Sequence, residues 1–213
     1  MISPSCAAKP PGDVVMEGAV DVEERVDIHP VRDYGGVVEA INDVTPNVRR
    51  LVIGLQRRLP FNPGQYVLLD VPGGEQRPYS IASSPSDGTR IELHVKRSAH
   101  GLATDCWVFK SLAVADTVSL SGPYGQFFFR PMRTQPILLL AGGTGLAPMK
   151  SIVRHIAETG AEHEVVLYHG VATQDDLYDR EWFEVFAMKA LIKARLCPSD
   201  IYCEDFMTCL PPG

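Results

Sequence analysis

The chain has 213 residues, is 45% hydrophobic and 22% charged, and carries a formal net charge of −6. That is ordinary globular composition with room for two modest domains, and its acidic balance, with no basic run, argues against nucleic acid as a partner. No basic start leads into an apolar core and no apolar run reaches membrane-spanning length, so a soluble, cytoplasmic protein without membrane contact is expected.

Residues 1–30 are rich in proline, glycine and acids, with Val14-Val15-Met16 the one strand-like piece; they read as a tail or the remnant of a preceding unit. From Gly35 onward short strands alternate with turn signals. The predicted strands are 36–41, 48–55, 66–71, 79–82, 91–96 and 117–121. Thr45-Pro46-Asn47, Asn62-Pro63-Gly64, Pro72-Gly73-Gly74 and Pro85-Ser86-Asp87-Gly88 lie between them. Six strands at this spacing predict a small antiparallel barrel over 31–134, interrupted by one helix over 102–112.

After a linker over 131–136 the pattern becomes α/β. Residues 137–140 form a bare apolar run with the character of a strand buried on both faces. The run leads into Ala141-Gly142-Gly143-Thr144-Gly145-Leu146-Ala147-Pro148, then a helix over 147–158 with Met149, Ile152, Val153 and Ile156 on one face. Pro148 suits a first helical turn, and Gly160 suits a helix end that needs positive φ. A strand at 165–168, a helix over 179–191 and a short strand at 200–202 complete the prediction. Strand, glycine turn and helix N-terminus together present bare N–H groups and a positive dipole end to a phosphate. A P-loop is excluded because Lys150-Ser151 follows Met149 rather than a glycine. Pro148 stands where the dinucleotide fingerprint has its third glycine, so 143–148 is a variant of that motif. Without a ligand, the same residues would simply be a tight strand-to-helix turn.

Arg77-Pro78-Tyr79-Ser80 offers a guanidinium fork, an aromatic ring and a hydroxyl, which suit a flavin's pyrophosphate, ring face and ring nitrogen. Taken alone, such a tetrapeptide also describes an ordinary strand with a surface ion pair. Gly101-Leu102-Ala103-Thr104 opens a helix after a strand, a second place to hold phosphate. Gly122-Pro123-Tyr124-Gly125-Gln126-Phe127 reads as a rigid turn closing the barrel. Cys6, Cys106, Cys197, Cys203 and Cys209 form no Cys-x-x-Cys pair; free thiols are expected, with no metal site.

In this order, Pro60-Phe61-Asn62-Pro63-Gly64-Gln65-Tyr66, the 77–80 motif, Leu93-His94-Val95-Lys96, 122–129 and 140–148 resemble the ferredoxin–NADP reductase superfamily. Within it, they resemble the reductase components of phenol hydroxylases and related oxygenases. The resemblance runs from about residue 6 to about residue 186. It implies an FAD-binding barrel joined to an NAD(P)-binding α/β domain at 135–213, with hydride passing from NADH or NADPH to the flavin. Electrons would then go to a ferredoxin-like protein or an oxygenase component.

By position, the resemblance implies that Arg77 holds the FAD pyrophosphate, with Pro78 beside it. Tyr79 flanks the ring, and Ser80 reaches the reacting nitrogen as a catalytic residue. His94, Val95 and Lys96 line the adjoining strand, and Gly101 and Thr104 lie at the flavin phosphates. Gly142, Gly143, Thr144, Gly145 and Pro148 border the nicotinamide nucleotide. Glu204, with Phe206, matches a terminal acidic and aromatic pair beside the flavin, and Glu204 is the second expected catalytic residue.

Two departures accompany the resemblance. Cys6 matches only the last ligand of an iron–sulfur domain, and one cysteine cannot hold a two-iron cluster, so none is expected on this chain. The family's late Cys-Gly-Pro-Pro motif does not occur, and residues between about 186 and 189 read as deleted. The α/β domain is therefore expected to be partial, which keeps a rival reading open: an FAD-binding or oxygenase-interacting module without turnover. The stretch 169–176 holds no Lys or Arg for a 2′-phosphate, which favours NADH.

Overall fold

The computed structural model describes residues 27–98, 101–131, 135–161 and 163–183. Alternation of inward apolar and outward polar residues builds the first unit. Its strands are β1 (Arg32–Thr45), β2 (Val48–Leu55), β3 (Tyr66–Val71), β4 (Glu75–Ser80), β5 (Arg90–Lys96) and β6 (Thr117–Tyr124). All pair antiparallel, in the order β4-β3-β6-β1-β2-β5. The two edges meet where Ile81, just past β4, bridges Leu93 of β5. The sheet thus curls into the expected barrel and its edge strands find each other. Inside lie Leu51, Ile53, Val67, Leu69, Ile81, Ile91, Leu93 and Val95, all with no exposed surface. Each such side chain contributes about 1.5–3 kcal/mol of burial.

Three expectations need correction within this unit. The fourth strand is Glu75–Ser80 rather than 79–82. Its polar start and Pro78 hide it, and both are tolerated because β4 is an exposed strand at the sheet margin. The helical segment is a π-helix, Leu102–Ser111, in which Cys106 N–H reaches the Gly101 carbonyl and Leu112 N–H reaches that of Trp107. Gly122 and Pro123 continue β6 instead of turning; the turn comes one step later, at Gly125 with φ 104°.

The second unit comprises β7 (Ile137–Gly142), a 3₁₀ turn (Gly143–Gly145), α1 (Leu146–Thr159) and β8 (Val165–Gly170). β7 and β8 pair in parallel from Ile137↔Val165 to Gly142↔Gly170, the pairing that a helical crossover permits. Helix α1 ends as expected on Gly160, with φ 70° and its N–H on the Ile156 carbonyl. Leu146, Met149, Ile152 and Ile156 pack onto Leu139 and Ala141, and Val48 of the barrel joins the same cluster. A further helix begins at 180 and is described to 183.

The expectation that β7 is buried on both faces does not hold. Leu139 and Ala141 are covered by α1, whereas Leu138 and Leu140 are 60% and 63% exposed. Val166 and Tyr168 of β8 share that open face. An apolar run announces burial but not what supplies it, and among the described residues only one face has a cover. No described helix is long and apolar enough to cross a membrane.

Candidate functional site

Strand β4 carries the 77–80 motif at the barrel surface. Arg77 is exposed and its guanidinium pairs with Glu75, leaving it within reach of solvent and of an anion. Pro78 is exposed, while Tyr79 is half-buried against the barrel core. Burial pushes the Tyr79 phenol up, partly offset by the charge of Arg77, so the ring is neutral. Ser80 sits opposite Tyr66, whose ring stacks on that of Tyr124 at 5.6 Å.

Strand β5 divides its residues between two faces. Val95 points into the barrel core, so it can meet a ligand only through its backbone. Lys96 is exposed at the strand end. Gly101 has no space for a side chain: a Cβ there would lie 2.7 Å from Thr104 Oγ1 and 3.0 Å from the Ser98 carbonyl. The Thr104 hydroxyl accepts from Ser98 N–H at 3.0 Å, which folds this corner onto the start of the π-helix.

The glycine turn is of a different kind. Glycines 142 and 145 have ordinary φ values, −111° and −59°, and a Cβ on either would meet nothing within 4 Å. Neither packing nor backbone geometry calls for glycine there. Gly64, by contrast, has φ 112° and a Cβ would strike the Phe127 carbonyl at 2.9 Å. A turn that lacks side chains without internal need, next to a helix start with no side-chain cap, fits close approach by a phosphate. Gly143 alone is in the left-handed region, φ 51°, and His169 Nε2 donates to its carbonyl at 3.0 Å. Thr144 is half-buried in the turn, and Pro148 is buried in the first turn of α1. The turn packs beside β5, which the Ile81–Leu93 bridge joins to the end of β4.

His94 faces the seam between barrel and helix. Its ring is fully buried, with Nε2 2.8 Å from Glu92 Oε1 and Nδ1 3.0 Å from Tyr178 Oη. Burial lowers the imidazole below its usual range despite the neighbouring carboxylate. It is therefore neutral: Nε2–H donates to Glu92 and Nδ1 accepts from Tyr178. Around this pair gather residues that the sequence reading did not single out. Lys150 Nζ reaches Glu92 at 2.7 Å and Asp179 at 2.6 Å. Arg154 reaches Glu92 at 3.2 Å, and Arg50 pairs with both carboxylates. Burial would raise the Glu92 carboxyl, but the hydrogen bond from His94 and the charge of Lys150 win and hold it well below the usual range. Burial and the charge of Asp179 push the Tyr178 phenol up.

Glu92, His94 and Asp179 have ligand-type atoms within 4.8 Å of one another, the one such grouping among the described residues. The Lys150 ammonium already bonds both carboxylates. The sequence carries one local sign of this seam, Glu92 and His94 alternating with Ile91, Leu93 and Val95, but nothing that names their partners on α1. Glu204, Phe206 and Cys6 lie outside the described residues.

Comparison with known proteins agrees with both units. Residues 36–129 match the oxidoreductase FAD-binding domain and residues 139–198 the oxidoreductase NAD-binding domain. The chain is 40% identical over 186 residues to the phenol 2-monooxygenase reductase component DmpP of a Pseudomonas strain, covering 87% of this chain and 52% of that protein. It is 41% identical over 179 residues to the aromatic O-demethylase reductase subunit of an Amycolatopsis strain, covering 82% and 53%. The crystal structure of the Amycolatopsis cytochrome P450 reductase GcoB superposes with a TM-score of 0.73 at 41% identity, over 76% of this chain and 50% of that one. This chain thus spans about half the length of these curated relatives.

Proposed function

Because the chain belongs to the ferredoxin–NADP reductase superfamily, we propose that it moves hydride from NADH to bound FAD. Its redox partner is an iron–sulfur protein or the oxygenase component of an aromatic hydroxylase system. The observation that carries this reading is the glycine turn at 142–145, open in front and seated beside the strand that adjoins the 77–80 motif. The nicotinamide is oxidised by loss of hydride, and the two electrons leave singly to the acceptor while the proton goes to solvent. Bound FAD supplies that two-to-one electron conversion; the protein supplies orientation and electrostatics.

In this proposal Arg77 and the corner at Gly101 and Thr104 bind the FAD phosphates. The neutral Tyr79 ring lies on the flavin, and Ser80 donates to its reacting nitrogen. Residues Gly142, Gly143, Thr144 and Gly145 hold the nucleotide phosphate with N–H groups. The stretch 169–176 has no Lys or Arg but carries an exposed Asp175 beside a half-buried Asp176, which suits a ribose diol rather than a 2′-phosphate. The protein works as a soluble cytoplasmic component, its FAD unit extending to about residue 134 and its nucleotide unit beginning at 135.

The rival reading, an FAD-binding module without turnover, is favoured by the face of the β7–β8 sheet that no described residue covers. Anaerobic NADH added to FAD-reconstituted protein separates the two. Loss of flavin absorbance within seconds is expected of the reductase. Retained flavin that millimolar NADH or NADPH leaves unchanged would identify the module, and protein that binds no FAD would overturn both.

A further inference from the structure

Helix α1 is held in two different ways. Leu146, Met149, Ile152 and Ile156 fix it on its own sheet by apolar contact, which is non-directional. Directional bonds fix it on the barrel. Lys150 and Arg154, one helical turn apart, both bond Glu92 of β5; the Ser151 hydroxyl donates to the Ser83 carbonyl at 2.7 Å; Ser86 donates to Glu158 at 2.6 Å near the far end. Of these anchors Lys150 lies nearest the glycine turn, and it is the most deeply placed of the cations, 2% exposed.

A lysine buried this far is tolerated only with its charge compensated, and the compensation comes from both units at once: Glu92 from the barrel, Asp179 from the loop after β8. Asp179 takes φ 60°, an uncommon conformation for a non-glycine residue, while its carboxylate meets Lys150 and Arg50. His94, kept neutral by burial and hydrogen-bonded to both Tyr178 and Glu92, orients the barrel carboxylate. The ammonium is thus tied to β5 on one side and to its own domain on the other.

We propose that Lys150 is a positioning residue for hydride transfer. Through Glu92 and Asp179 it sets the place of the 142–145 turn against the barrel, and so the approach of the nicotinamide to the flavin. This rests on the reductase reading above. Hydride transfer depends on sub-ångström placement far more steeply than phosphate binding does, so a loosened turn loses rate before it loses nucleotide.

Lys150→Met keeps the length and removes the charge. In rapid-mixing experiments with NADH, its limiting rate of flavin reduction should fall about 100-fold. The NADH concentration for half-maximal rate should move less than about threefold, about 0.7 kcal/mol. FAD absorbance should be retained. Without any cofactor, amide exchange across 143–149 should accelerate while β2 and β5 keep their protection.

Asp179→Asn should act in the same direction, and it decides the matter if Lys150→Met fails to bind FAD. Ser86→Ala, which removes the distant Glu158 contact, is the control for a purely structural effect: it should lower stability without changing the limiting rate. Wild-type reduction by NADH with both charge variants within about twofold of wild type would overturn the role of Lys150. Wild-type protein that NADH does not reduce would overturn the reductase reading instead. Lys150 would then stand or fall on the exchange of 143–149, with unchanged protection in Lys150→Met deciding against it.

Discussion

The barrel and the α/β unit solve the same problem unequally. The barrel closes on itself through the Ile81–Leu93 bridge and fills its interior with side chains that have no exposed surface. The α/β unit has two described strands, and α1 covers only one face of them, leaving Leu138, Leu140, Val166 and Tyr168 open. Two strands with one covered face give a helix little directional hold by themselves. The fixing comes from the neighbour: Glu92 and the Ser83 carbonyl receive Lys150, Arg154 and Ser151. The glycine turn and α1 belong to the α/β unit, but directional bonds from α1 run to the barrel.

Mutations should reveal that asymmetry. Ile53→Ala, in the barrel interior, should cost about 2–5 kcal/mol in urea unfolding, and a cost under ~1 kcal/mol would mean the barrel is not the stable half. Acid comes next. His94, His155 and His169 are depressed by burial, so the unfolded chain takes up protons that the native state refuses. Their contribution is complete above about pH 6.5, the ordinary imidazole value, and is lost as the pH falls below it. Glu92, also depressed, adds stability that is complete above about pH 4.5 and lost as the pH falls further. The thermal midpoint should therefore fall on acidification from neutral pH and fall faster below 4.5; a flat midpoint would count against the buried seam.

Smaller effects should separate ligand roles from folding roles. Gly145→Ala places a methyl where the protein has only space. Stability should hold or rise, while the Kd for NADH increases about tenfold, ~1.4 kcal/mol; unchanged affinity would remove the turn from the nucleotide site. Tyr79→Ala should weaken FAD by about 0.5–1.5 kcal/mol, the size of a stacking contact, as read by flavin release on dilution. Leu138→Asn, on the open face, should change stability by less than ~0.5 kcal/mol. A larger loss would show that this face is covered.

How much of this was legible in the sequence depended on whether one segment's neighbours decide its structure. The expected strands 48–55 and 66–71 match to the residue, because each starts after a turn signal and its apolar run stops sharply, at Gln56-Arg57-Arg58 and at Pro72-Gly73-Gly74. The 75–80 strand was misplaced because an edge strand can afford Glu75, Gln76 and Pro78, which carry no such run. The glycine turn was recognisable from local chemistry alone. The seam was not: Glu92, Lys150 and Asp179 are far apart in the chain, and nothing local says that a lysine beside an apolar face has two carboxylates waiting. The same limit applies to 137–140, whose composition states a need for cover without naming the element that meets it.

Amide hydrogen exchange of the wild-type protein tests most directly whether the barrel holds α1. If the seam couples the two units, amides of α1 from Met149 to Val153 should open with the same free energy as those of β5, in one cooperative step. Exchange in α1 faster than in β5 by about 100-fold or more, with β5 still fully protected, would show a helix that moves independently and would contradict the account.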